Sequence, residues 1–230
     1  MPFVRFGVGH LLAIAATAAG AVAAARLARR ERWRPTVRWS LFALLAAAAA
    51  GFYAIEALNG TLSKYHLPFH LSDFAVFLAL FALATLRRPA AELLYFLAIP
   101  AVIATVTPDL QRGFGDWFTW VFFVFHGGTV AAAAALTFGC GLAPRKGAVW
   151  RAMGFLLAYA ALAALANRLL GTNFMFLSRK PRQPSPLDWL GEWPWYLAAA
   201  SVLAAALFSL AYLPFAARER RARPNGKTAA

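Results

Sequence analysis

Residues 117–138 read WFTWVFFVFHGGTVAAAAALTF, a run without Lys, Arg, Asp or Glu. At a helical rise of about 1.5 Å per residue, such a run is long enough to cross the roughly 30 Å hydrocarbon layer of a bilayer. The composition favours the same interpretation, since 61% of the residues are hydrophobic and 14% are charged, whereas soluble domains are nearer half apolar and a quarter charged. The stretch therefore predicts a helix of an integral membrane protein.

Further apolar runs flank this stretch on both sides. Each has about the length of a membrane span, and they cover 7–26, 39–58, 68–86, 90–107, 148–169 and 194–216. We therefore predict an all-α bundle of about seven transmembrane helices, forming one domain over residues 1–217. The basic residues 218–230 are predicted to form a cytoplasmic tail without regular structure.

The basic residues fall in short clusters between the apolar runs, and the net charge is +14. This arrangement is typical of loops beside a bilayer and not of a nucleic-acid-binding surface. Of the 23 Lys and Arg residues, 16 lie in the tail and in the loops after the first, third and fifth spans. The positive-inside rule therefore predicts an outer N-terminus and a cytoplasmic C-terminus. We expect membrane lipids as partners, while the sequence says nothing about the oligomeric state.

The few polar side chains inside the predicted spans lie near their outer ends. Ionisable groups in a bilayer are costly and often mark functional sites. On the third span, His66, His70 and Asp73 have the spacing of one helical face, so His70 and Asp73 can hydrogen-bond as an acid/base unit. The alternative is a contact that only braces helix packing. His126 lies about ten residues into the fifth span, near the bilayer midplane. Other polar groups near the same end are His10, Glu56, Asn167 and Asn173.

Metal and thiol chemistry have little support in the sequence. His10, His70, Asp73 and His126 are suitable zinc ligands, but their spacing matches no metal-binding motif. We therefore predict no metal and no cofactor. Cys140 lies about 20 Å beyond His126 along a helix, which excludes it from the site.

The predicted external loop, Asn173 to Trp193, carries the cations Arg179, Lys180 and Arg182 among several prolines. Prolines stiffen a loop, and a cation can bind a lipid phosphate. The alternative is that the loop only connects two spans. We predict that substrate is bound by Glu56, Asn167, Asn173, Arg179 and Lys180.

Several separated motifs occur in a fixed order along the chain. They are Leu67-Pro68-Phe69-His70-Leu71, Thr107-Pro108-Asp109-Leu110, His126-Gly127 and Trp193-Pro194-Trp195-Tyr196. Together they resemble the bacterial YwaF-like integral membrane family, which is distantly similar to the transmembrane protein 164 acyltransferase family. The resemblance implies a bacterial inner-membrane protein that transfers acyl chains between phospholipids, with His126 as the catalytic histidine. It also implies a cysteine nucleophile near His70, yet this chain has Phe69 and Ser72 at the two corresponding positions.

The sequence leaves two functions open, besides a scaffold that only packs in the membrane. The first is a phospholipid-modifying acyltransferase with an outward-facing site, in which His126, His70 and Asp73 act as acid/base groups and Ser72 is the candidate nucleophile. The second is a transporter of protons or small solutes, or a membrane sensor without enzymatic activity, because intramembrane His and Asp residues also form proton relays.

Overall fold

The computed structural model describes residues 2–181 and 184–222. Arg182 of the predicted external loop and residues 223–230 of the predicted tail lie outside the described residues. The described part forms seven α-helices: α1 Val8–Ala28, α2 Arg34–Leu58, α3 Leu71–Thr85, α4 Arg88–Val106, α5 Trp117–Ala134, α6 Ala148–Leu170 and α7 Trp195–Ala222. A π-helical turn, Ala135–Gly139, continues α5. The predicted all-α helical bundle is confirmed.

Within the described residues, six helical segments are long and apolar enough to cross a membrane, and α3 is a shorter apolar helix. Large apolar side chains on their outer faces are exposed, including Leu44, Trp150, Leu169 and Val202. Exposed apolar surface of this extent is unsuited to water and matches the hydrocarbon of a bilayer. The chain is therefore a multi-pass membrane protein whose helices contact lipid.

The helix α3 begins later than predicted. Pro68 forces the residue before it away from helical geometry, and Leu67 is extended with φ −63° and ψ 140°. His70 is also extended, with φ −71° and ψ 143°, so the helix begins at Leu71 and has 15 residues. His66 lies in a separate short 3-10 helix, Lys64–His66. The predicted helical face shared by His66, His70 and Asp73 is therefore wrong.

The helix α7 ends later than predicted, because it runs to Ala222 and so includes residues 218–222 of the predicted tail. Arg, Glu and Ala all have high helix propensity. The Glu219 carboxylate also accepts hydrogen bonds from the Lys146 backbone N–H at 3.1 Å and from the Tyr212 hydroxyl at 2.9 Å. These contacts hold the last turns of α7 against the start of α6.

Successive helices run in opposite directions. Near the start of α2, the Arg38 guanidinium donates hydrogen bonds to the carbonyls of Leu83 and Ala84 at the end of α3. At the other end, the Phe3 N–H donates to the Gln111 carbonyl before α5. We call this second end the N-terminal end, since it carries residues 2–7, the loops 59–70 and 107–116, and the loop segments 171–181 and 184–194.

The helix α5 is central and packs against α1, α2, α3 and α4. The core around it consists mainly of alanine and leucine, including the fully buried Leu45, Ala79, Leu94, Ala132 and Leu136. Small side chains allow membrane helices to approach closely. The core thus fixes the backbone that carries the polar groups at the N-terminal end.

Gly139 lies where the π-helical turn meets α1. A Cβ atom at this position would overlap the Ala28 Cβ and lie 3.1 Å from the Ala25 carbonyl oxygen. Because neither atom can rotate away, we expect Gly139→Ala to lower the free energy of unfolding by about 1–3 kcal/mol. The matched control is Gly154→Ala, since no atom lies within 4 Å of that Cβ. Equal unfolding midpoints of the two variants in detergent would contradict this prediction.

Candidate functional site

A cavity of about 610 Å³ lies at the N-terminal end, between α2, α3, α4, α5 and the loops of that end. Its apolar walls include Phe52, Phe122, Phe125 and Ile103. The volume lies in the range of sites that enclose small-molecule ligands. All four residues predicted to act in catalysis line this one cavity, and they are His70, Ser72, Asp73 and His126.

His126 is held by its own helix. The side chain is 7% exposed, and its Nδ1 atom lies 2.7 Å from the Phe122 carbonyl oxygen, one turn earlier in α5. A carbonyl oxygen only accepts hydrogen bonds, so Nδ1 carries the proton in the neutral imidazole and Nε2 keeps a free lone pair. The imidazole therefore has the tautomer that a general base requires at Nε2.

The two glycines after His126 allow neighbouring helices to approach α5. A Cβ atom at Gly127 would lie 2.9 Å from the Thr17 Oγ1 atom of α1, and one at Gly128 would lie 2.7 Å from the Leu45 Cδ2 atom of α2. Both distances are shorter than van der Waals contact. Because the two glycines have no side chains, α1 and α2 pack directly against the His126 segment of α5.

Asp116 fixes the start of α5. Its carboxylate accepts hydrogen bonds from the Phe118 N–H and from the Arg112 guanidinium, both at 2.9 Å. These two donors hold the pKa of the Asp116 carboxyl below its usual range. A capping carboxylate of this kind satisfies an otherwise unpaired helical N–H. The cap sets the position from which α5 carries His126 into the cavity.

His70 is held by the loop between α6 and α7, which is the predicted external loop, and not by Asp73. Its Nδ1 atom accepts a hydrogen bond from the Met175 N–H at 3.3 Å, and its ring contacts Phe174 and Phe176. The Asp73 carboxyl group instead interacts with the Ser72 hydroxyl and with the backbone of His70. The predicted side-chain hydrogen bond between His70 and Asp73 is therefore not formed, although both groups line the cavity.

The start of α3, which carries Ser72 and Asp73, is braced by α6. The Tyr159 hydroxyl of α6 donates a hydrogen bond of 2.5 Å to the Pro68 carbonyl. The Tyr159 ring packs against the Phe74 ring at an interplanar angle of 46°, with 4.8 Å between the ring centroids. The Ser72 hydroxyl then has the Asp73 carboxyl as its partner in the wall of the cavity. A hydroxyl, a carboxyl group and the imidazole of His126 therefore line the same cavity.

Two of the residues predicted to bind substrate lie elsewhere. The Glu56 carboxylate lies 3.3 Å from His66 Nε2 and 2.5 Å from the Thr61 hydroxyl, and it lines an adjacent cavity of about 370 Å³. Asn167 is buried, and its amide group hydrogen-bonds the backbone N–H and carbonyl of Phe174 at 2.7 and 3.0 Å. Asn167 thus shapes the loop that holds His70 and does not line the large cavity.

The other three predicted substrate-binding residues, Asn173, Arg179 and Lys180, line a third cavity of about 340 Å³. We call this cavity the vestibule. It shares His70 with the large cavity. The Asn173 side chain hydrogen-bonds the backbone of Ser178 and Arg179, so it shapes the loop from within.

Sequence reasoning missed several polar residues that line the large cavity, among them Arg5, Tyr65 and Asp109. Arg5 precedes the first apolar run, and Tyr65 belongs to a connecting loop. Asp109 lies within one of the family motifs and lines all three cavities. Its position in that motif was the one sequence signal that could have identified it.

Metal-binding geometry is absent among the described residues, where no three His, Cys, Asp or Glu side chains could hold a metal ion. His10 is buried and has partners at both ring nitrogens, since Nδ1 accepts from the Phe6 N–H at 2.9 Å and Nε2 lies 2.9 Å from the Thr105 carbonyl. It ties α1 to α4 and does not line the cavity. Cys140 follows the π-helical turn at the opposite end of the bundle, away from the cavity.

Comparisons with known proteins agree with this membrane architecture. The model of the TMEM164 family matches residues 5–212. An uncharacterized protein of Treponema pallidum (strain Nichols) is 30% identical over 128 residues, which are 54% of this chain and 52% of that protein. The chain thus spans about half the length of this relative. No solved structure matches the chain.

Proposed function

Because the chain belongs to the TMEM164 family, we propose that it is a bacterial inner-membrane enzyme that transfers acyl chains between phospholipids. One observation carries the proposal: His70, Ser72, Asp73 and His126 line a single, mainly apolar cavity at one end of a membrane bundle. An acyl chain needs apolar walls, and ester exchange needs a nucleophile and a base. The cavity offers both in one place.

In the proposed reaction, the Ser72 hydroxyl oxygen attacks the ester carbonyl carbon of a donor phospholipid. A new C–O bond forms to Ser72, the ester bond of the donor breaks, and the proton of the hydroxyl passes through a base to the leaving lysophospholipid oxygen. The hydroxyl of an acceptor lysophospholipid then attacks the acylated Ser72, and the same proton transfer runs in reverse. One ester replaces another, so the reaction needs no redox partner.

The hydrogen bonds of the cavity support distinct roles for its polar groups. The Nδ1–H group of His126 donates a hydrogen bond to the Phe122 carbonyl, which leaves a lone pair on Nε2. His126 is therefore the general base. His70 accepts from the Met175 N–H at Nδ1, so the neutral ring carries its proton on Nε2 and can donate to the developing oxyanion. Asp73 is adjacent to Ser72 in the cavity wall, so in the proposed reaction its carboxyl group orients the Ser72 hydroxyl.

The depth of the cavity favours the enzyme over a transporter. Its lining comes from the N-terminal halves of α3 and α5, the C-terminal halves of α2 and α4, and the loops beside them. The same helices pack together below the cavity through the fully buried Ala79, Leu83, Leu94 and Leu136. A transporter needs a path that reaches both faces of the membrane, whereas an enzyme needs access from one side only.

A direct test uses the purified full chain in vesicles of phosphatidylcholine with isotope-labelled acyl chains and unlabelled lysophosphatidylethanolamine. We expect mass spectrometry to detect labelled phosphatidylethanolamine. Ser72→Ala should lower the initial rate by about 100-fold or more, because the nucleophile is lost. Ser201→Ala is the matched control, since that hydroxyl bonds the Leu197 carbonyl within α7 and lies outside the cavity.

Two outcomes count against the proposal. Absence of label transfer by the wild-type chain would reject acyl transfer. Equal rates for Ser72→Ala and Ser201→Ala would reject Ser72 as the nucleophile.

A further inference from the structure

Arg5 reaches the mouth of the large cavity from the segment before α1. This segment is held in place by the loop before α5, through the hydrogen bond of 3.2 Å from the Phe3 N–H to the Gln111 carbonyl. An antiparallel bridge between Pro2 and Arg112 adds a second tie. The backbone that carries Arg5 is therefore fixed although it lies outside the helices.

The Arg5 guanidinium bonds neutral groups. Nη2 lies 3.2 Å from the Pro108 carbonyl oxygen, and Nη1 lies 3.3 Å from the Pro184 carbonyl oxygen. Both distances are at the long end of the hydrogen-bonding range. Arg5 takes part in none of the ion pairs formed among the described residues. A guanidinium has five N–H donors, so donors and charge remain available toward the cavity.

The cations of the external loop are less suitable for an anion in this cavity. Neither Arg179 nor Lys180 lines it, because both face the vestibule. The Lys180 ammonium also lies 3.4 Å from the Glu192 carboxylate and 5.8 Å from the centre of the Tyr196 ring. Its charge is thus already balanced in part, whereas Arg5 faces the same space as His126.

We propose that Arg5 binds the phosphate of a glycerophospholipid whose acyl chains extend between the phenylalanines toward His126. Guanidinium and phosphate form two parallel, charge-assisted hydrogen bonds, which are among the strongest in proteins. The two carbonyls that hold Arg5 also orient the guanidinium before the ligand arrives. A lipid without phosphate, such as diacylglycerol, gains nothing from Arg5. The inference rests on the proposed function for the identity of the substrate, but binding is measurable without turnover.

The test compares two lipids with identical acyl chains, phosphatidylcholine and diacylglycerol, by equilibrium binding to the purified full chain in detergent. Arg5→Gln should weaken phosphatidylcholine binding by about tenfold, the scale of a lost charge-assisted hydrogen bond, and leave diacylglycerol binding unchanged. Arg5→Lys should give an intermediate loss, because the ammonium keeps the charge and lacks the planar fork. Arg168→Gln is the matched control, because Arg168 is an exposed cation in the last turn of α6 that lines neither the large cavity nor the vestibule. It should change neither affinity by more than about twofold.

Every other outcome either overturns or retains the assignment of Arg5 to a lipid phosphate. An unchanged phosphatidylcholine affinity in Arg5→Gln, or an equal loss for both lipids, would overturn the inference, the second because it indicates a damaged cavity. Inorganic phosphate forms the last arm, since displacement of phosphatidylcholine by millimolar phosphate would assign the site to free phosphate and overturn the lipid assignment. Binding that depends on Arg5 in a chain that exchanges no acyl groups would retain this inference and reject the proposed function.

Discussion

Replacing His126 with alanine is expected to lower the rate of acyl exchange by about 100-fold or more, the usual effect of losing a general base. The Nε2 lone pair of His126 is available because Nδ1 donates to the Phe122 carbonyl. Alanine offers no group that could accept the nucleophile's proton. Initial rates of label transfer between phospholipids in vesicles measure the effect.

The control for this variant lies on the same helix. Thr129→Val replaces a buried hydroxyl that has no hydrogen-bond partner among the described residues, so exchange should stay near the wild-type rate. Adding imidazole should restore part of the rate in His126→Ala, because the space left by the side chain opens into the cavity. A His126→Ala rate within tenfold of the Thr129→Val rate would contradict the assignment of His126 as the base.

The helices were predictable because their signal is local. A run such as 117–138 carries its own evidence for a membrane span, and the predicted limits of α5 and α6 agree with the structure within a few residues. His126 was equally visible, since a lone ionisable side chain in an apolar run is rare. Depth along a helix then placed it in the same half of the bundle as His70.

The arrangement of the site was harder to predict because contacts between distant segments determine it. His70 is held by Met175, 105 residues later, and Arg5 is held by Pro184, 179 residues later. No periodicity links such positions. Leu67 and His70 are also extended, which interrupts the helix between His66 and Leu71, so helical spacing gave the wrong neighbours for His66.

Glu92 forms a second polar cluster at the end of the bundle opposite the cavity. Its side chain is 4% exposed and pairs with two guanidinium groups, that of Arg145 at 2.9 Å and that of Arg151 at 2.6 Å. In the structure, one buried carboxylate ties α4 to the loop before α6 and to α6 itself.

Glu92→Gln is therefore expected to lower the free energy of unfolding by about 3 kcal/mol. This value is the lower end of the cost of breaking a buried ion pair, because both arginines are half exposed and can be hydrated. The amide oxygen of glutamine accepts from one arginine, while its NH₂ group faces the donors of the other.

Glu31→Gln is the matched control, since Glu31 is exposed and takes part in no ion pair among the described residues. Chemical unfolding in detergent measures the difference, and values for the two variants within about 0.5 kcal/mol, the usual range for surface changes, would contradict the prediction. At temperatures well below its midpoint, Glu92→Gln should still exchange acyl chains near the wild-type rate, because the cluster supports the bundle and lies outside the cavity.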